Sequence, residues 1–122
     1  MKNISLLLLS LLSINSYAAY WTEIGQVNGY KLIIDKDSIV KLPNSTVKFS
    51  YKSIKVDATE DTSYTVVTEK MRCKDKAATL QSMVTYNASG YNLETIIPEH
   101  KQETSPIKGE YSTKLYNYIC KI

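Results

Sequence analysis

Histidine occurs once in 122 residues, phenylalanine and tryptophan once each, and cysteine twice. The scarcity of histidine limits the chemistry. Nucleophilic catalysis would have to route through His100, which lies between Glu99 and Lys101 in a polar stretch and reads as a solvated loop side chain. One His with no soft ligand nearby does not make a zinc site. Nucleophile elbow, glycine-rich phosphate loop and metal-ligand spacing are all missing. Asp35, Asp37 and Ser38 suggest a calcium loop only at first sight, because the following glycine and distal Glu of that motif are absent. The chain is therefore expected to be no enzyme and to carry no cofactor and no metal.

Long apolar runs are equally scarce. The one present, Ile4–Leu12, is broken by Ser5 and Ser10 and is too short to span a bilayer. It follows Lys2 and precedes Ser16-Tyr17-Ala18, the small residues at −3 and −1 that a signal peptidase needs. Residues 1–18 are expected to be a signal peptide and 19–122 a single exported domain. No cysteine stands near the cleavage site, so no lipid anchor is expected, and the mature protein is expected not to span the membrane. The formal net charge of +3 is too small to argue for nucleic acid. Two cysteines, Cys73 and Cys120, in an exported chain read as one disulfide, with two free thiols or a metal pair as the alternative. Closing a loop of that size stabilises by roughly 4 kcal/mol in the chain-entropy model.

What is abundant is strand pattern. Tyr20–Val27 and Tyr30–Ile34 flank Asn28-Gly29, a tight-turn dipeptide, and make a hairpin. Asp35 then caps a turn that breaks the strand, and Pro43-Asn44-Ser45 makes another turn. Thr46–Val56 alternates, with Val47, Phe49 and Tyr51 on one face and Lys48, Ser50 and Lys52 on the other. The apolar parity changes at Ile54 and Val56, which predicts either a bulge near Ser53 or cover on both faces. Tyr64–Cys73, Ala78–Tyr86 and Tyr91–Ile97 complete six strands, the last two joined by Asn87-Ala-Ser-Gly90. Beyond the polar loop Glu99–Ser105, Ser105-Pro106 reads as N-cap and first residue of a helix running to Cys120. Ile107, Tyr111, Leu115, Tyr118 and Ile119 form its apolar stripe, and Gly109 weakens its first turn by roughly 1 kcal/mol. The expected fold is α+β: a six-stranded antiparallel β-meander with a C-terminal helix packed on one face and tied to it by the disulfide. Trp21 reads as core.

Two features point to binding. Ten tyrosines, a residue favoured at interfaces, include Tyr17 of the signal segment. Basic residues gather in two groups, Lys48, Lys52 and Lys55 on the third strand and Lys70, Arg72, Lys74 and Lys76 at the end of the fourth. Strand pairing that merged them would give a patch for acidic proteins or polymers, sensitive to salt. The candidate partner-binding residues are Lys48, Lys52, Lys70, Arg72, Lys74 and Lys76.

Several stretches occur together in one order. They are Trp21, Tyr30-Lys-Leu-Ile-Ile-Asp35-Lys-Asp-Ser38-Ile39, Cys73 before a strand ending Tyr86-Asn-Ala-Ser-Gly90, Ile97-Pro98, and a terminal helix ending at Cys120. In this the chain resembles the surface-adhesin protein E family over nearly its whole mature length. The resemblance implies a Gram-negative source, a six-stranded antiparallel sheet, a C-terminal helix disulfide-bonded to it, and a homodimer. It implies binding of host matrix and plasma proteins through a stretch matching Thr65–Met83, where Lys70, Arg72, Lys74 and Lys76 are the cations. The family's founding adhesin also binds haem, which no residue here argues for, and it carries a lipid anchor and a long N-terminal spacer that are not expected in this chain. The expected function is an exported non-enzymatic binding protein of the periplasm or cell surface. The alternative is a periplasmic accessory protein with a bacterial partner and no adhesive role.

Overall fold

The computed structural model describes residues 20–59 and 61–121. The expected signal peptide lies outside them. Runs rich in β-branched and aromatic residues form β1 (Trp21–Val27), β2 (Tyr30–Leu42), β3 (Thr46–Lys55), β4 (Tyr64–Arg72), β5 (Ala77–Tyr86) and β6 (Asn92–Ile96). Each pairs antiparallel with its successor, in the order β1-β2-β3-β4-β5-β6, which is the expected meander. Asn28 and Gly29 take positive φ angles of 51° and 82° at the first turn, the conformation that this dipeptide tolerates. Asn87 ties the β5–β6 turn through its side-chain oxygen, which accepts from the backbone N–H groups of Ser89 and Tyr91 at 3.0 Å each.

Three details of the sheet differ from the sequence reading. A seventh strand, β7 (Glu103–Thr104), pairs with β5 through Ala78↔Thr104 and Thr79↔Glu103, within what reads as a polar loop. A two-residue strand has no period to detect. Second, β2 is not broken at Asp35; it shifts register between Asp35 and Val40 and then continues along β3. Asp35 does cap locally, accepting from the Asp37 N–H at 3.0 Å, while Ser38 Oγ donates to the Asp35 carbonyl. Ser38 also takes the Ser50 N–H at 2.8 Å, so the irregular stretch remains stitched to the sheet. Third, the pairing of β3 with β4 runs unbroken through Ser53, so no bulge lies there, and Val56 is exposed.

The helix α1 (Glu110–Ile119) starts later than Pro106. Gly109 is its N-cap with φ 92°, a non-helical conformation, and no side chain caps it. Ile107 therefore stands outside the helix. Leu115 and Ile119 share one buried cluster with Ile34, Val47, Phe49 and Met71 of the sheet. Cys73, just beyond β4, is bonded to Cys120 at the end of α1 with Cα atoms 5.5 Å apart, and no cysteine is free. Tyr116 of α1 adds a hydrogen bond from its hydroxyl to the Cys73 carbonyl at 3.1 Å. Trp21 is not among the buried core residues.

Candidate functional site: the sheet face opposite the core

Side chains alternate between the two faces of a strand, so β3 sorts itself. Val47 and Phe49 are buried in the core cluster, and Lys48, Ser50 and Lys52 point to the other face. Register carries that division into β4: Lys48 lies opposite Lys70, Ser50 opposite Thr68, and Lys52 opposite Val66. Ser50 and Thr68 lock the strands with a 2.8 Å contact between their hydroxyls. Lys48 and Lys70, from separate stretches of sequence, become direct cross-strand neighbours. Neither has an acidic partner within salt-bridge distance among the described residues.

The other candidate cations are placed differently. Arg72 is half-exposed but fully engaged. Its Nε and Nη2 each lie 2.7 Å from Asp75, in a two-pronged pair, and its Nη1 lies 2.7 Å from Glu103 of β7. Hydrogen bonding to Asp75 and then to Glu103 raises the guanidinium pKa further, and the same contact with Arg72 holds the Asp75 carboxyl below its ordinary value. Arg72 thus brings no spare charge to a ligand. Lys74 is exposed in the turn after β4. Lys76 sets its ammonium 5.4 Å from the centre of the Tyr116 ring of the helix. Of the six candidate cations, Lys48, Lys52, Lys70 and Arg72 share one face by alternation and register, and Arg72 is the one of them already neutralised.

Lys52 is held by aromatics. Its Nζ sits 4.3 Å from the centre of the Trp21 ring and 4.8 Å from that of Tyr64. Tyr64 stacks in turn on Tyr86, its cross-strand partner, at 5.4 Å. Partial burial lowers the Lys52 pKa, and the ring faces offset part of that cost by attracting the cation. Trp21, Lys52, Tyr64 and Tyr86 thus form a row across β1, β3, β4 and β5, at one end of a face whose other end carries Lys48 and Lys70. Next to Lys70 a depression of about 320 Å³ is walled by Arg72, Thr79 and Glu103.

Sequence reading missed the aromatic row, because alternation assigns Trp21 no face while the β1–β2 register is unknown. It also missed the neutralised Arg72. Asp75, three residues on, was a visible signal, whereas Glu103 needed β7. His100 is exposed in the loop after β6, as read. No group of three or more His, Cys, Asp or Glu that could hold a metal occurs among the described residues. Among them no helix is long and apolar enough to cross a membrane. Comparison with models of protein families, with characterised proteins and with solved structures returns no match.

Proposed function

We propose that the chain is an exported, non-enzymatic binding protein, with α1 covering one face of the sheet and the opposite face gripping an acidic partner. The cross-strand pair Lys48–Lys70 carries this reading. Two like charges placed directly opposite cost stability, so their juxtaposition on an uncovered face favours a ligand that neutralises both. Lys52 and its aromatic row supply a third cation and amphipathic surface beside them. The resemblance to surface-adhesin protein E suggests host matrix or plasma proteins as partners and the cell surface as the place. The test is binding of immobilised matrix proteins and of a sulfated polysaccharide across a salt series. The Lys48→Glu, Lys70→Glu variant should lose the salt-sensitive part, and unchanged binding overturns the assignment of this face.

A second reading is favoured by one observation. Arg72, part of the cation set that the resemblance implies, is occupied by Asp75 and Glu103. Three working cations instead of a dense basic strip suit a periplasmic accessory protein with a bacterial partner. Protease digestion on intact cells separates the two: cleavage supports the adhesin, and protection until the outer membrane is breached supports the accessory protein.

A further inference from the structure

We propose that the cavity between the sheet and the segment entering α1 is a binding site for a small zwitterion with an aliphatic body, such as an amino-alkyl carboxylate. The cavity measures about 300 Å³ and has Glu69 of β4 in its wall, together with Leu80, Ile107 and Ser112. The helix begins at Glu110 and not at Pro106, so Ile107 and Lys108 line the cavity from the segment before the helix, together with Glu69 of β4 and Leu80 of β5.

Glu69 is the unusual member. It faces the core side of the sheet, since its register partners are Phe49 and Leu80. One carboxylate oxygen accepts from the Tyr51 hydroxyl at 2.9 Å. The other has no protein partner among the described residues, and no salt bridge reaches the group. No buried side-chain nitrogen or oxygen lacks a partner among the described residues, so the second oxygen keeps accessible surface, and Glu69 lines the cavity. A carboxylate partly withdrawn from water and held in no ion pair is costly, and burial raises its pKa accordingly. A ligand ammonium entering the cavity would supply both the charge and the hydrogen bonds.

The rest of the wall selects among cations. Leu80 and Ile107 offer apolar contact to a short carbon chain, and Ser112 a hydroxyl. A hard metal ion needs six or more oxygen ligands, and among the described residues lining the cavity Glu69 alone is acidic. Lys108 also lines the cavity; it repels a second positive charge and attracts a carboxylate. A single ammonium at one end and a carboxylate at the other therefore match the wall better than a diamine or a plain amine. The volume lies at the small end of ligand pockets.

The test is a methyl-labelled NMR titration of the folded protein with 5-aminovalerate, n-butylammonium and valerate. The expected result is saturable shifts of Leu80 and Ile107 with 5-aminovalerate, weaker ones with n-butylammonium and none with valerate. Glu69→Gln should weaken 5-aminovalerate by about tenfold or more, the loss of one charged hydrogen-bonded contact. Lys108→Ala should weaken 5-aminovalerate down to the n-butylammonium level. Should the Glu69→Gln chain fail to fold, Ser112→Leu fills the cavity from the helix and should abolish the shifts. The Lys48→Glu, Lys70→Glu variant, altered on the opposite face, should bind 5-aminovalerate as the parent does. No saturable shift, equal shifts with valerate, or undiminished binding by Glu69→Gln would each overturn the proposal.

Discussion

Lys48 stands directly across from Lys70 on neighbouring strands, with no carboxylate paired to either among the described residues. Replacing Lys48 by Glu turns repulsion into attraction at an exposed position of β3. The variant should be more stable by about 0.5–1 kcal/mol, a rise of a few degrees in Tm. The same change should weaken salt-sensitive binding to acidic partners. Thermal melts and binding isotherms on one preparation would show the two quantities moving in opposite directions. If stability falls, the pair is not repulsive and the argument for a ligand on this face goes with it.

The Cys73–Cys120 bond closes a sequence separation of 47 residues and joins the end of β4 to the end of α1. Cys73→Ala with Cys120→Ala should lower stability by roughly 4 kcal/mol, mainly through the freer unfolded chain. Leu115 and Ile119 remain in the core cluster without the bond, so the helix should survive at low temperature. Urea midpoints and far-ultraviolet dichroism check both parts. A loss of helix signal at low temperature would mean that apolar packing alone cannot hold α1.

The meander was legible because its strands are long, alternate and end at turn chemistry such as Asn28-Gly29. The disulfide was legible because the chain has only two cysteines. The start of α1 was not. Ser105-Pro106 has the composition of a helix start and Ile107 falls in phase with the apolar stripe, but Gly109 adopts a non-helical φ and the helix begins only after it. The face shared by Lys48 and Lys70 was half legible: alternation gave the side of β3, and the register to β4 had to come from the structure. Trp21 was misread as core because tryptophan is usually buried, and nothing in β1 fixes which way it points.

Glu69 gives a pH dependence whose sign differs from that of a salt-bridged carboxylate. Burial raises its pKa in the folded chain above the ordinary value of 4.5. Below that value the group is neutral in both folded and unfolded chains and carries no penalty. As the pH rises through the raised folded value, the folded chain holds a proton that the unfolded chain has released, and stability falls. Asp75, held low by Arg72, acts in reverse: its contribution is present above its ordinary value and is lost as pH falls through the depressed one. Glu69→Gln leaves Asp75 untouched, so the difference between the parent and this variant isolates Glu69. The variant should gain stability relative to the parent as the pH rises above about 4.5 toward neutral. Urea titrations at several pH values measure it, and a parallel pair of curves would contradict the burial of the carboxylate.

Trp21 decides between two magnitudes. A tryptophan packed in a core costs about 3–5 kcal/mol when cut back to alanine. One that covers a half-buried lysine on an open face gives up a cation–π contact of about 1 kcal/mol and some apolar cover. With Lys52 Nζ 4.3 Å from its ring centre and no place in the core cluster, Trp21 belongs to the second case. Trp21→Ala should therefore cost about 1–2 kcal/mol and leave the transition cooperative. Lys52→Met keeps the apolar stem while removing the charge, and should shift the intrinsic fluorescence of Trp21, the only indole in the chain. A cost near that of a core tryptophan, or emission blind to Lys52, would place the ring elsewhere and dissolve the aromatic row that borders the lysine pair.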